Sequence, residues 1–181
     1  MGKNRGEREL KTTVYERLIK EMGQGSKDSL RTFYMLTKPA IYGFVLAMSV
    51  DYGTAEETMH EAYIAIFDAA ETYCPKGKPM VWAFTVVRNV VLTKALQQAP
   101  AAPEPEAIPD EDAPQSGMDM TRMESQIIML RDVAGVKYRE IAEILEISRW
   151  MTFFVHRRAM SRLGRRTFSK LNDFIRGNGK K

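Results

Sequence analysis

The chain has very little of what metal centres and disulfide frameworks require. Its 181 residues include one cysteine, Cys74, and two histidines, His60 and His156, which lie far apart in the sequence. One cysteine excludes a disulfide framework and a cysteine-based zinc site, and two distant histidines do not make a histidine-rich metal centre. Paired catalytic carboxylates, a nucleophile with its base and a glycine-rich phosphate loop do not stand out either. We therefore predict a protein that is not an enzyme and that uses no metal or cofactor.

Long apolar runs are also missing. No stretch approaches the roughly 18 uncharged apolar residues that a transmembrane helix needs. The charged N-terminus has no apolar segment behind it, which argues against a secretory signal. From these observations we expect a chain that does not insert into membranes and that works in a reducing cytoplasm.

Charge is distributed unevenly along the chain. Residues 1–96 carry a formal charge of +2, residues 97–121 carry −6, residues 122–148 carry −1 and residues 149–181 carry +9. A nearly neutral body with a strongly basic C-terminal part indicates a polyanionic partner, most simply nucleic acid. The alternative is a solvated basic tail that binds nothing.

Proline and alanine mark a linker. Five of the eight prolines lie within residues 100–114, interleaved with alanines and acidic residues. Because proline blocks helix formation and this stretch has few large apolar side chains to bury, we interpret residues 97–117 as an extended, acidic linker. The chain then divides into an N-terminal domain, residues 1–96, and a C-terminal domain, residues 118–181.

Helical signals fill the N-terminal domain. Thr54 and Glu57 have the spacing of a capping box, and apolar residues recur behind them at helical intervals. No strand or hairpin signal competes, so we predict an all-α fold that begins with a bundle of about four helices. The predicted helices are residues 14–22, a segment that begins at Ser26 or Asp28 with a kink at Pro39, the segment behind Thr54, and residues 79–96.

The C-terminal domain has the pattern of a helix-turn-helix. Helices are predicted over residues 123–133, 138–145 and 149–163, with a tight turn at residues 146–147. Ser148 is a good N-cap for the third helix, which is rich in arginine. In a helix-turn-helix, the second helix of the pair enters the major groove of DNA.

Several short sequences occur in a defined order along the chain. They are GSKDSL at 25–30, YGFVL at 42–46, AEETMHEAY at 55–63, YCPKGKP at 73–79, VRN at 87–89 and LRDVAGVKYREIAEIL at 130–145. In order and spacing they resemble the extracytoplasmic-function group of bacterial sigma-70 factors. Such proteins join a region-two helical domain to a region-four helix-turn-helix through a flexible linker. The resemblance covers most of residues 14–96 and 122–163.

The resemblance implies a sigma factor, the subunit of RNA polymerase that selects promoters and has no catalysis of its own. It implies that the helix at residues 55–67 docks on the clamp coiled coil of the largest polymerase subunit through Glu56, Glu57, His60 and Glu61. An acidic helix face suits a coiled coil with exposed basic residues. The alternative is that these are solvated surface side chains.

The resemblance also implies that residues 73–96 read the −10 promoter element, with one base of the non-template strand flipped into a pocket. Capture of a single strand needs polar and cationic groups for phosphates and an aromatic rim for an unstacked base. The candidates for the backbone are Lys76, Lys78, Arg88, Asn89 and Lys94, and the candidate aromatic is Tyr73. Asn89 has the alternative role of a structural amide on the helix.

The candidates for reading the −35 element lie on the third helix of the C-terminal domain. They are Ser148, Arg149, Thr152, His156, Arg157, Arg158 and Arg162. Relatives commonly have Gly-Thr-Val and then polar or basic residues where this chain has WMTFFVH at residues 150–156. Phenylalanine donates no hydrogen bond, so direct readout shifts to the polar neighbours. For Phe153 and Phe154 we weigh contact with a thymine methyl against a core role, and we expect one of the two in the core.

Two other functions fit parts of the pattern. One is a sigma-like regulator that binds polymerase or a partner protein but has degenerate promoter recognition. The other is a helix-turn-helix repressor unrelated to polymerase, which predicts a large apolar pocket and self-association. A sigma factor instead predicts a monomer that binds promoter DNA together with core RNA polymerase. An anti-sigma factor as a further partner is left open by the sequence.

Overall fold

The computed structural model describes residues 3–49, 52–98 and 121–175. Within these ranges the regular elements are seven α-helices with short 3-10 and π-helical turns, and no strand. The prediction of an all-α fold is confirmed. No helix in the same ranges is both long and apolar enough to cross a lipid bilayer.

Four helices form the N-terminal part of the molecule. They are α1 (Lys3–Met22), α2 (Lys27–Met48), α3 (Ala55–Ala69) and α4 (Pro79–Gln98). Short 3-10 turns, Tyr52–Thr54 and Ala70–Thr72, flank α3. α1 begins well before the predicted start near residue 14. Residues 3–13 lack apolar periodicity, but lysine, arginine and glutamate are good helix formers.

Local hydrogen bonds define where helices begin. Ser26 is the N-cap of α2, because its Oγ accepts a hydrogen bond from the Ser29 N–H at 3.2 Å. The predicted capping box at Thr54 is wrong, since its backbone is already helical after the preceding 3-10 turn and its side chain makes no capping hydrogen bond. A capping box lies instead at Thr121, whose N–H and Oγ1 both bond to Glu124.

Aromatic side chains hold the N-terminal helices together. Phe44 of α2 meets Phe84 of α4 edge to face, with ring centroids 5.3 Å apart, and both are fully buried. Met59 of α3 joins the same core. Thr37 and Tyr63 share a buried hydrogen bond of 2.8 Å, and burial raises the pKa of Tyr63. The bundle therefore buries a dense apolar interior with its polar groups paired.

The C-terminal part is built from three helices. They are α5 (Arg122–Ile128), α6 (Tyr138–Leu145) and α7 (Arg149–Ile175), with a π-helical turn, Met129–Val133, after α5. Glu146 ends α6 in the left-handed conformation with φ 58°. Ser148 then begins α7, and its Oγ accepts the Met151 N–H at 3.1 Å. The order of helix, short turn and capped helix is the predicted helix-turn-helix, and α7 continues beyond its predicted end near residue 163.

The C-terminal helices pack directly on the N-terminal bundle. α5 and the π-helical turn lie against α2, and α6 lies against α4. Gly43 of α2 favours this approach, because a Cβ there would overlap Cε of Met129. Ile127 and Leu130 are fully buried in the same core as Phe44. In this arrangement the two predicted domains share one continuous core.

The predicted linker falls mainly on residues 99–117, which lie outside the described residues. Its first two positions are helical, because α4 continues to Gln98. The division into two domains stays a prediction.

Candidate polymerase and nucleic-acid interface

α3 has a polar face opposite its buried side. Glu56, Glu57 and His60 are exposed and Glu61 is half-buried, whereas Met59 on the other side is fully buried. The four candidate polymerase-binding residues therefore share one side of the helix. Their binding to polymerase stays a prediction.

Lys94 joins this polar face to α4. Its Nζ lies 2.8 Å from Oε1 of Glu61 and 3.1 Å from Oε2 of Glu57. The hydrogen bond to Glu61, together with Glu57, raises the pKa of Lys94. A candidate cation for the −10 element is thus held by carboxylates of the candidate polymerase face, and the two surfaces adjoin at this ion pair.

Glu16 of α1 fixes the loop before α4. Its Oε1 accepts hydrogen bonds from the Gly77 N–H at 2.8 Å and from the Tyr73 hydroxyl at 3.3 Å. Gly77 has a φ of +68°, a left-handed conformation that glycine adopts without strain. Glu16 could not be predicted from the sequence, because it lies 57 and 61 positions from its two partners and has no local signal.

Tyr73 is half-buried beside Trp82, with ring centroids 4.9 Å apart. Burial, and then the neighbouring Glu16 carboxylate, raises the pKa of Tyr73 to about 12. The ring therefore stands as a neutral, oriented aromatic at the edge of the loop, where an unstacked base would need a rim.

The remaining −10 candidates divide into two groups. Lys76 and Asn89 are exposed. Lys78 places its Nζ 2.6 Å from Oε2 of Glu143 on α6. Arg88 makes two parallel contacts of 3.2 Å with the Glu146 carboxylate at the end of α6. In this conformation α6 therefore occupies two of the candidate phosphate-binding cations.

The −35 candidates on α7 are not all available to a ligand. Ser148, Arg149 and Arg157 are exposed, but Thr152 is fully buried and its Oγ1 donates to the Ser148 carbonyl oxygen at 3.1 Å. Thr152 was expected to read bases directly, and in this structure it offers them no surface. The reason is its position on the helix side that packs in the core.

His156 also points into the protein. Its Nδ1 lies 2.9 Å from the Tyr138 hydroxyl and its Nε2 lies 2.7 Å from Oδ2 of Asp132. The imidazole thus links the π-helical turn, α6 and α7. Both ring nitrogens are occupied within the protein, so direct base readout by His156 would require this network to break.

Glu124 holds two more of the candidates. Its side chain is buried, and its carboxylate lies 3.3 Å from Nε of Arg158 and 3.1 Å from Nη1 of Arg162. Arg158 remains partly exposed, whereas most of the Arg162 side chain is covered. Sequence reasoning did not identify Glu124, although the Thr-x-x-Glu pattern before α5 marks it as a capping residue.

Aromatic side chains occupy the outside of α7. Trp150 is 68% exposed, Phe153 49% and Phe154 48%. The expectation that one of the two phenylalanines lies in the core is wrong, because Thr152, Val155 and other residues on the opposite side of α7 fill that position.

Comparisons with known proteins find similarity to one family. A family model for Sigma-70 region 2 matches residues 33–100. The chain is 27% identical over 131 residues to the ECF RNA polymerase sigma factor SigK of Mycobacterium ulcerans (strain Agy99), covering 71% of this chain and 65% of that protein. It is 29% identical over 73 residues to SigK of Mycobacterium tuberculosis (strain ATCC 25177 / H37Ra), covering 40% and 39% of the two chains. The chain therefore spans less than two thirds of the length of each of these relatives. These similarities are to the extracytoplasmic-function group of the sigma-70 family, in agreement with the resemblance seen in the sequence.

The fold is similar to that of a solved structure. CnrH, in complex with the cytosolic domain of CnrY, superimposes with a TM-score of 0.55 at 13% identity over 89% of this chain and 98% of that chain. The Sigma-70 region 2 match spans most of α2 and all of α3 and α4. The matched segment contains both the acidic face of α3 and the −10 candidates of α4 and of the loop before it. The helix-turn-helix lies outside the matched segment.

Proposed function

We propose that this protein is a sigma factor, which binds core RNA polymerase and directs transcription initiation at promoters with −10 and −35 elements. One observation carries this proposal: the region 2 match falls on the helices that bring the acidic face of α3 next to the cations of α4. In this proposal the protein is a monomer when free, has no catalysis of its own and works in the cytoplasm with the polymerase.

Core polymerase binds, in this proposal, on the polar face of α3. Glu56, Glu57, His60 and Glu61 lie together there and meet the basic surface of the clamp coiled coil. Complementary charge at such an interface steers association and fixes the orientation of the partners. Because Glu57 and Glu61 also hold Lys94, docking on this face is coupled to the position of a −10 candidate.

Promoter DNA binds, in this proposal, along the loop at residues 73–78 and α4. Lys76 and Asn89 are exposed for it. Lys78 and Arg88 pair with carboxylates of α6, and a phosphate has the negative charge and the acceptor oxygens to replace a carboxylate at such sites. The incoming strand thus competes with α6 for these cations, and the C-terminal helices separate from α4 as the −10 element binds.

A protein partner is part of the proposal. The structural relative CnrH was solved with the cytosolic domain of CnrY, and the likeness of fold supports a similar kind of partner for this chain. We propose an anti-sigma factor in that role.

A second candidate function is a sigma-like regulator that binds polymerase but selects promoters poorly. The aromatic outside of α7 favours it, since those side chains donate few hydrogen bonds to base edges. The two candidates agree on polymerase binding and differ in promoter-specific initiation.

Co-purification with core polymerase tests the step that both candidates share. Glu56→Lys is the sharpest single change, because Glu57 and Glu61 also hold Lys94. We expect slower association and a weaker complex at low salt, since a rim charge acts mainly through steering. Glu71→Lys, at an exposed position after α3, is the matched control and should bind as the wild type does. Equal binding by Glu56→Lys and the control would remove α3 as the docking face.

A further inference from the structure

One side of α7 presents an apolar surface to solvent. Trp150, Phe153, Phe154 and Arg157 are spaced i, i+3, i+4 and i+7, so they lie along one stripe of the helix. All four are exposed. We call this stripe the outer face of α7.

The outer face is ordered by its neighbours. The Trp150 and Phe154 rings are stacked with centroids 5.3 Å apart and an interplanar angle of 9°. Phe153 packs edge to face on Tyr138, with centroids 5.6 Å apart. Three aromatic rings are therefore held in place while roughly half or more of each remains open to solvent.

Polar groups that serve base readout are turned away from the outer face. Thr152 is buried, and His156 is held by Tyr138 and Asp132. The edge of a base pair in the major groove offers hydrogen-bonding groups and one apolar group, the 5-methyl of thymine. A face of aromatic rings is complementary to that methyl and poorly complementary to the rest.

The arginines around the outer face of α7 indicate that this face binds nucleic acid. Residues 149–163 contain four arginines and no acidic residue. Arg149 and Arg157 are exposed at the two ends of the outer face. Duplex DNA offers phosphates on both sides of the groove and methyl groups within it, which matches cations that bracket an apolar stripe.

We propose that the outer face of α7 reads thymine 5-methyl groups in duplex DNA, with Trp150 and Phe153 as specificity-determining residues. This inference rests on the proposed function and adds the sequence class of the −35 element, a thymine-containing segment recognised through apolar contacts. Each buried methyl contributes roughly a fourfold gain in affinity, the value of one methylene removed from water. Discrimination at each position is therefore shallow, and several thymines together produce selectivity.

Replacement of thymine by deoxyuridine tests the proposal without changing the protein. Deoxyuridine lacks only the 5-methyl group and keeps every hydrogen-bonding group of thymine. The full chain is assembled with core polymerase, a preferred −35 segment is selected from a random duplex library, and each thymine is replaced in turn. We expect a loss of binding of roughly fourfold at each contacted position.

Protein variants show which side chains are responsible for the preference for thymine over deoxyuridine. Trp150→Ser and Phe153→Ser should each reduce the ratio of thymine to deoxyuridine affinity toward one. Leu10→Ser removes an exposed apolar side chain from α1 and should keep the wild-type ratio. Should a serine variant fail to fold, the deoxyuridine series with the wild-type protein still decides the question.

The outcomes separate this inference from the function on which it rests. Promoter-specific initiation with no deoxyuridine effect at any −35 thymine would overturn the methyl readout and leave the sigma factor function intact. Self-association of the wild type that Trp150→Ser abolishes would instead make the outer face an interface between copies, and would also overturn it. Failure to bind polymerase or to initiate anywhere would remove the proposed function and this inference together.

Discussion

His156 shows how a side chain on α7 can stabilise the protein instead of contacting DNA. Both its ring nitrogens are within hydrogen-bonding distance of Tyr138 and Asp132, which belong to different elements. Arg157, the next residue, is exposed on the outer face. Neighbouring positions on one helix therefore face opposite ways, His156 into the protein and Arg157 into solvent, and of the two only Arg157 is open to a ligand.

This difference leads to a paired prediction. His156→Ala should lower the free energy of unfolding by about 1–3 kcal/mol, because it leaves the half-buried Tyr138 and Asp132 without a partner. Arg157→Ala should leave that free energy within about 0.5 kcal/mol of the wild type, as exposed positions usually do, and weaken DNA binding. Denaturant unfolding and a salt titration of DNA binding measure the two effects. A stable His156→Ala variant with altered base preference would show that His156 reads DNA after all.

Gly43 provides a second residue-scale prediction. A Cβ at this position would overlap Cε of Met129, so Gly43→Ala should destabilise the packing of the π-helical turn on α2. Because the clash involves the flexible end of a methionine, we expect Gly43→Ala to lower the free energy of unfolding by about 1 kcal/mol. This is the low end of the range for substitutions that overfill a protein core. In the double variant with Met129→Ala, the free energy of unfolding should fall by less than the sum of the losses in the two single variants. Additive losses, measured by denaturant unfolding, would show that the two residues do not meet in solution.

At the scale of elements, the helices could be predicted because their signals are local. Apolar periodicity located α2 to α4, Ser148 was correctly predicted as an N-cap, and Ser26 was one of the two N-caps considered for α2. The helix-turn-helix followed from its short turn. The capping box at Thr54 failed because a 3-10 turn precedes α3, a feature that spacing alone does not reveal.

The candidate site was less predictable than the helices. Residue types correctly indicated cations on α4 and α7, but not what holds them. Lys78 and Glu143 are 65 positions apart, and Arg162 and Glu124 are 38 apart. Such pairs depend on how helices pack, and no local pattern in the sequence encodes them.

Glu124 gives a testable prediction about helix packing, since its carboxylate connects α5 to Arg158 and Arg162 of α7. Glu124→Gln keeps an acceptor for the Thr121 cap but removes the ion pairs with Arg158 and Arg162. Because the arginines are partly exposed, we expect Glu124→Gln to lower the free energy of unfolding by about 1–3 kcal/mol. Breaking a fully buried ion pair would lower it by roughly 3–5 kcal/mol. Glu71→Gln is the exposed control. Equal thermal stability of the two variants would mean that the Glu124 ion pairs contribute nothing to the fold.

At the scale of the whole molecule, the C-terminal helices cover part of the surface that we assign to the −10 element. Lys78 and Arg88 face the carboxylates of Glu143 and Glu146, and the apolar core runs across the same boundary. Ion pairs near the surface contribute about 1 kcal/mol each, so these two, whose carboxylates are exposed, favour the arrangement without fixing it. Most of the cost of separating α6 from α4 therefore comes from the shared apolar core, and polymerase and promoter DNA together must supply it.

Removal of the two carboxylates should expose the −10 surface. We predict that Glu143→Gln with Glu146→Gln raises the affinity of the free protein for a single-stranded −10 oligonucleotide by roughly 3- to 10-fold. This corresponds to about 1 kcal/mol, because the two carboxylates no longer compete with phosphates for Lys78 and Arg88. Asp68→Asn with Glu71→Gln changes the net charge equally at exposed positions and serves as the control. An equal gain in the control would show a general charge effect, and α6 would then not compete with DNA.

The most direct measurement of the central claim is transcription reconstituted from core polymerase and the full chain on a genomic promoter library, with the 5′ ends of the products mapped. We predict initiation at a discrete set of promoters only when the chain is present, and strong loss of open complexes for Asn89→Ala at unchanged stability, because Asn89 is exposed on α4. Polymerase binding without promoter-specific initiation would contradict the sigma factor function and leave the sigma-like regulator in its place.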